Sequence, residues 1–247
     1  MRRRVLLGLG CLVILGAIAA AVVVLRGSGE KSVAPPPAPP PPPPPTLERV
    51  EDLAARVPAG RHVVLRSRPD GRALATVASR TEFGSPQTLA VAFRKGDWIA
   101  VRSPKLGNRR LGWVRAKPLR LLRRPADLVV DLSQRQLTVH GAHGVERRIS
   151  VAVGAPDTPT PIGRFYVDQR IITTNPNGPY GPAALGVSAF SNVLTGWVQG
   201  GPIAIHGTNE PWSIGHAVSN GCIRLPNPTL TRLFRVAVAG TPVIIHP

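Results

Sequence analysis

Ile203-Ala-Ile-His-Gly-Thr-Asn-Glu-Pro-Trp-Ser-Ile-Gly-His-Ala-Val-Ser-Asn-Gly-Cys-Ile-Arg-Leu-Pro-Asn227 holds Cys222, one of only two cysteines in the 247-residue chain. His206 stands sixteen positions upstream, at the end of a short apolar run that reads as a strand. A free thiol has a pKa near about 8.5, so only a few per cent is thiolate at neutral pH. A neighbouring imidazole can take its proton, which makes Cys222 a candidate nucleophile and His206 its base. Gly221 allows a tight turn ahead of the cysteine, so that backbone N–H groups can face a developing oxyanion. The plainer reading is that a lone cysteine is a small buried apolar residue and a lone histidine is structural. A zinc site from His206, His216 and Cys222 is a third reading. It lacks a close ligand pair of the Cys-x-x-Cys kind, so no metal is expected.

Outward from this stretch, the chain reads as strands. Downstream, Asn227-Pro228 reads as an N-cap and first helical residue. Leu230, Leu233, Phe234 and Ala237 then follow at helical spacing, Gly240 ends the helix, and Pro242 to His246 reads as a last strand. Upstream, Pro125 marks a boundary. Residues 126–133 and 136–140 read as a hairpin turning at Ser133 to Arg135, residues 146–153 as a further strand, and Arg164 to Ile172 as another. The prolines of Asp157-Thr-Pro-Thr-Pro-Ile-Gly-Arg-Phe165 break the pattern. Thr173 to Gly186, rich in Asn, Pro and Gly, reads as a long surface loop of the kind that often carries function.

His206-Gly-Thr-Asn209 followed by Ser219-Asn-Gly-Cys-Ile-Arg224 resembles the L,D-transpeptidase (YkuD-type) catalytic domain. Val130-Asp-Leu-Ser-Gln-Arg-Gln-Leu137 and Thr158-Pro-Thr-Pro-Ile-Gly-Arg-Phe165 match the same family in the same order, so the resemblance covers about residues 126–247. It implies a mostly β, β-sandwich-like domain with a short C-terminal helix. It implies Cys222 as nucleophile, His206 as base and the carbonyl of Gly207 as the group that orients the imidazole. Ser219, Gly221 and Arg224 would shape the nucleophile loop, and Arg224 would favour the thiolate. Many family members have His where this chain has Asn220, which cannot act as a base and leaves His206 in that role. Tyr180, Gly181 and Trp197 are candidates for the lip of the cleft. The implied substrates are donor and acceptor peptidoglycan stem peptides, with no cofactor. Two rivals remain: a cell-wall cysteine peptidase, against which the His-before-Cys order argues for the papain-like kind, and a non-catalytic wall-binding protein.

The middle of the chain differs in charge. The net charge is +18. Residues 46–125 contribute eighteen basic and six acidic side chains, a balance of +12, whereas residues 126–247 carry eight arginines and six acids, a balance of +2. The remaining +4 lies in residues 1–45. A +12 segment suits acidic wall polymers or an anionic membrane surface, or is simply a solvated face; nucleic acid is a poor partner for an exported chain. Residues 47–57 read as a short helix or linker. Strands are read at 62–66, 75–77, 89–93, 98–102 and 112–115, separated by turn signals such as Pro69-Asp-Gly71 and Lys95-Gly-Asp97. Arg68-Pro-Asp-Gly71, Gly96-Asp-Trp-Ile-Ala-Val101 and Gly112-Trp-Val114 together resemble a bacterial Src-homology-3-like barrel over about residues 60–123, with Trp98 and Trp113 read as core.

At the N-terminus, Arg2 to Arg4 precede an uncharged apolar run from Val5 to Leu25. A helix of that length spans about 30 Å, a bilayer core. The positive-inside rule keeps the arginines cytoplasmic and places the rest of the chain outside, as a single-pass signal-anchor. Ala17 to Ala21 offer an alternative cleavage site. Pro35 to Pro45, all proline but Ala38, predicts a polyproline rod of roughly 30 Å. The expected organisation is an anchor over 1–26, a spacer and linker over 27–59, the Src-homology-3-like domain over 60–124 and the catalytic domain over 125–247. With Cys11 in the anchor, Cys222 is left as an unpaired thiol in an oxidising space.

Overall fold

Strands dominate the structure, a computed structural model that describes residues 45–247 except 51, 125, 142 and 196–200. The expected anchor, nearly all of the proline rod and Trp197 lie outside the described residues. Among the described residues no helix is long and apolar enough to cross a membrane.

The first sheet comprises β1 (Glu48–Arg49), β2 (Leu53–Arg56), β3 (His62–Arg66), β4 (Ala73–Ala78), β5 (Thr88–Lys95), β6 (Trp98–Arg102), β7 (Leu111–Arg115) and β8 (Arg120–Arg123). Their order is β4-β3-β7-β6-β5-β2-β8, with β1 also on β5, and every pair is antiparallel. Period-two alternation puts Val63, Leu65, Val77, Ile99, Val101 and Val114 into one core. Trp98 is buried beneath the Arg115 guanidinium, 4.7 Å from its ring centroid, whereas Trp113 is partly exposed. Residues 53–56 are a central strand rather than the expected helix or linker. Ala54 and Ala55 are fully buried between β5 and β8. Three apolar residues followed by an arginine are too short a run to tell strand from helix, so the decision falls to the neighbours.

The second sheet comprises β9 (Asp127–Asp131), β10 (Gln136–Gly141), β11 (Gly144–Ser150), β13 (Gly163–Ile172), β14 (Ala183–Phe190), β15 (Pro202–His206), β17 (Ile223–Arg224) and β18 (Pro242–His246). Their order is β11-β10-β9-β18-β13-β14-β15-β17, in which β18 runs parallel to β9 and β17 parallel to β15. The short strands β12 (Val153–Gly154) and β16 (Ala217–Ser219) form a separate parallel pair. The β9–β10 hairpin falls where it was read. Asp131 Oδ1 accepts from Ser133 Oγ and the Gln134 N–H, both at 2.8 Å, and Arg135 turns the chain at φ 49°. Leu128, Val130, Leu137, Val139, Val167, Leu185, Ile205, Ile223 and Ile245 share one core, onto which α1 (Asn227–Val236) lays Leu230 and Leu233.

Three boundaries differ from the sequence reading. The strand read as 146–153 ends at Ser150, because Ala152 turns to exchange backbone bonds with Arg224 and Val153 pairs with Ala217 instead of β10. The expected loop to Gly186 stops earlier: Ala183 to Gly186 pair with Ile172 to Gln169. Finally, Asn227 is the first helical residue behind a Pro226 cap, and its side chain is used elsewhere.

Pro44–Pro247 group into one unit, and the two sheets are tied directly. Tyr166 of β13 is fully buried in the core of the first sheet. Thr81 Oγ1 donates to Gln169 Oε1 at 2.8 Å, and the Asn108 amide both donates to the Phe190 carbonyl and accepts its N–H, each at 2.8 Å.

Candidate active site

Cys222 and His206 are brought together by the parallel pairing of β15 with β17. Ile205 faces Ile223 and His206 faces Arg224, so Cys222, one residue ahead of β17, stands beside Ala204. The Ala204 N–H reaches the thiol. The Leu225 N–H donates to the His206 carbonyl at 2.8 Å and locks this register. Cys222 and His206 both line one cavity of about 1020 Å³, together with Tyr180, Ser219, Asn220 and Arg224.

His206 is 3% exposed, and its Nδ1 lies 2.5 Å from the Gly207 carbonyl. A carbonyl only accepts, so Nδ1 carries the proton and Nε2 keeps a lone pair. Burial lowers the imidazole pKa to about 4; the Gly207 bond opposes this shift and Arg224 adds to it. The Tyr180 ring sits edge-on to the imidazole, with centroids 4.9 Å apart. Burial raises the Cys222 pKa, while the Ala204 N–H and Arg224 pull it down. At neutral pH the resting pair is therefore an uncharged thiol and an uncharged imidazole. Arg224 Nη1 is itself held by Glu210 Oε2 at 2.5 Å, and its Nε is buried with no hydrogen-bond partner.

The nucleophile turn is held by hydroxyls. Ser219 Oγ donates to the Cys222 carbonyl at 2.5 Å and accepts the Gly221 N–H at 3.1 Å. That N–H is thus committed within the loop. Gly221 has φ 105°, a conformation that side chains rarely adopt. Asn220 is exposed at the cavity wall, and His216 is exposed with Nδ1 3.2 Å from the Ile214 carbonyl.

Four positioning or lining residues were not singled out from the sequence. Thr158 Oγ1 donates to the Ser219 carbonyl at 2.9 Å, and Thr160 Oγ1 donates to the Gly221 carbonyl at 3.0 Å while accepting the Gly154 N–H at 2.8 Å. The prolines that break the strand pattern at 158–161 leave these threonines free to brace the turn. Asn227 Oδ1 accepts the Thr208 N–H at 2.8 Å, so it braces the loop after His206. Asp168 lines the same cavity, buried directly after the buried run Phe165 to Val167 of β13.

Thr160→Val keeps the shape and removes the hydroxyl. It strands the Gly154 N–H and the Gly221 carbonyl, an expected loss of about 1–3 kcal/mol in thermal unfolding. A displaced thiol is expected to lower kcat roughly tenfold to a hundredfold with little change in KM.

The family model described as "L,D-transpeptidase catalytic domain" (YkuD) matches residues 125–245. YkuD of Bacillus subtilis (strain 168) is 36% identical over 122 residues, 49% of this chain and 66% of that protein. YqjB of the same organism is 35% identical over 133 residues, 49% of this chain and 72% of that protein. The match thus spans about two thirds of the length of these relatives. Among solved structures, L,D-transpeptidase 3 from Mycobacterium tuberculosis aligns with a TM-score of 0.41 at 17% identity, over 56% of this chain and 74% of that one. The catalytic domain from the E. faecium L,D-transpeptidase aligns at 0.36 and 24% identity, over 49% and 96%. With the motifs, the matched span and these sequence relatives in agreement, the chain belongs to the L,D-transpeptidase (YkuD) family.

Proposed function

We propose that this chain is a peptidoglycan L,D-transpeptidase acting outside the cytoplasm. The observation that carries the reading is the placement of Cys222 and His206 on one cavity wall, with Nδ1 engaged by Gly207 and Nε2 left to accept a proton. The donor is a tetrapeptide stem. Nε2 takes the Cys222 proton as sulfur bonds to the carbonyl carbon of the third, diamino-acid residue. The amide C–N bond then breaks, and the imidazolium returns the proton to the departing D-alanine amine. An amine of a neighbouring stem attacks the thioester, giving up a proton to His206 while the sulfur leaves, and a cross-link between two third-position residues results. Arg224 favours the thiolate as it leaves, and because the Gly221 N–H is committed, other donors of the loop must meet the oxyanion. Tyr180, on the cavity wall, and Trp197 are the proposed lip residues that would keep water from the thioester.

The N-terminal assignments belong to the same proposal: a signal-anchor over 1–26, a proline spacer ending ahead of β1, and a Src-homology-3-like module, expected over 60–124 and joined by β1 and β2 in its sheet, that holds acidic wall polymer or membrane surface through its basic charge. The test is full-length protein with purified tetrapeptide muropeptides, read by mass spectrometry. Cross-linked dimers with free D-alanine are expected, and both should vanish in Cys222→Ala. Shortened monomers alone would point to a peptidase; wall binding without turnover would leave only a binding protein.

A further inference from the structure

Across the second sheet, one row of residues floors the cavity. Gln169, next to Asp168, pairs with Gly186; Gly186 pairs with Ala204; and Ala204 stands beside Cys222. Asp168, Gly186, Ala204 and Cys222 all line the same cavity. The two middle positions are small, which keeps the floor open from the carboxyl to the thiol. Asp168 sits where β13 bulges, between Val167 and Gln169. Its side chain lies over Gly186, where an added Cβ would come 2.9 Å from Oδ1. From Gly186 to Cys222 is two strand spacings, about 10 Å.

Asp168 is 8% exposed and its Oδ1 has no hydrogen-bond partner. The backbone N–H groups of Asp168 and Gln169 favour its charged form, whereas burial and the nearby Glu82 raise its pKa to about 7. A buried acceptor without a donor costs free energy. An incoming cation would remove that cost and hold the group ionised. Glu82 lines the same cavity, while Arg80 and Lys105 are the cations on the neighbouring wall.

We infer that Asp168 is a specificity-determining residue that receives the side-chain ammonium of the diamino-acid residue whose carbonyl Cys222 attacks. The inference rests on the transpeptidase reading. A side chain of four methylenes ending in an amine covers roughly 6 Å at bond lengths near 1.5 Å. A hydrogen bond of about 2.8 Å completes the span between thiol and carboxylate. The chemistry recognised is a primary ammonium on a linear side chain; a neutral chain of equal length would leave Oδ1 without a donor.

The probes are two stem tetrapeptides, identical except that the third residue is lysine in one and norleucine in the other. Binding is measured by calorimetry on full-length Cys222→Ala protein, so turnover plays no part. The lysine stem is expected to bind at least tenfold more tightly. Adding Asp168→Asn should bring the two stems within about twofold, and adding Glu82→Gln, at an exposed site, should narrow the gap severalfold. Equal binding of the two stems to the Cys222→Ala protein, or a preference that survives Asp168→Asn, overturns the subsite and leaves the transpeptidase reading standing. If neither stem binds, both readings are overturned.

Discussion

Replacing His206 with alanine is expected to lower kcat/KM roughly 10³–10⁴-fold at pH 7 and to change the shape of the pH profile. General-base transfer is worth about 10²–10⁴ in rate, and a nucleophile that depends wholly on its base sits at the upper end. The sign of the pH effect follows from the two shifts. With the imidazole pKa lowered to about 4, His206 is neutral and able to accept a proton throughout the physiological range. The unsubstituted enzyme should therefore show a flat kcat/KM from about pH 5 to 8, falling only as pH drops through about 4. An unperturbed histidine would lose activity below about 6.5. In His206→Ala the reaction must wait for spontaneous thiolate. Its rate should climb about tenfold per pH unit up to the thiol pKa, which burial has raised. A profile for His206→Ala that stays flat between pH 6 and 8, or a full-length enzyme that loses activity near pH 6.5, would remove His206 from the role of base. Initial rates of D-alanine release across the pH range measure both.

Asp168→Asn is expected to make the folded chain more stable at pH 8 and to expose a pH dependence that the parent chain conceals. The folded-state pKa of Asp168 is raised to about 7, so its ionised form is disfavoured by folding. Its contribution is favourable at low pH and is lost as pH rises from about 4 to 7. His206 acts oppositely. Its folded pKa is depressed to about 4, so the unfolded chain binds the extra proton between about 4 and 6.5, and stability is lost as pH falls through that window. The two slopes oppose each other where their ranges overlap, worth about 4 kcal/mol in all for Asp168 and about 3 kcal/mol for His206. The parent chain should then show little change in denaturation midpoint between pH 4.5 and 6.5 from this pair. Asp168→Asn should show stability rising with pH by about 3 kcal/mol across the window, and a gain of about 4 kcal/mol over the parent at pH 8. Urea unfolding at four pH values resolves this. Parallel curves for parent and variant would mean that Asp168 titrates normally. A gain in stability on losing the carboxyl is what a group retained for binding would give.

The sequence conveyed which residues meet at the cavity more fully than how they are packed. The Cys222 and His206 assignments rest on short local motifs, and a local motif survives whatever surrounds it. The hairpin at 127–141 was legible for the same reason, since Asp131 builds its turn from residues two and three positions away. Leu53–Arg56 differs from its local reading because so short a run takes its state from distant partners, Thr88 to Ala90 and Arg120 to Arg123. Asn227 was assigned to the helix end because Asn-Pro has a local meaning there, but its carboxamide answers a backbone N–H nineteen residues away. Thr160 and Asp168 were passed over because neither their hydroxyl and carboxyl partners nor their absence can be seen along the chain. In each case the information was present in residue type and missing in separation.

Tyr166 gives the molecule a hereditary constraint. It is encoded within the catalytic half but lies wholly inside the core of the half before it, flanked by the Thr81–Gln169 and Asn108–Phe190 bonds. Recombination at residue 125, the edge of the family match, would separate the tyrosine from the core that buries it. A chimera that joined this catalytic half to a foreign partner would inherit an uncovered aromatic on the face beside its own cleft. The two halves are thus expected to be transmitted as one block, and exchange between relatives is viable only where the socket travels with the ring.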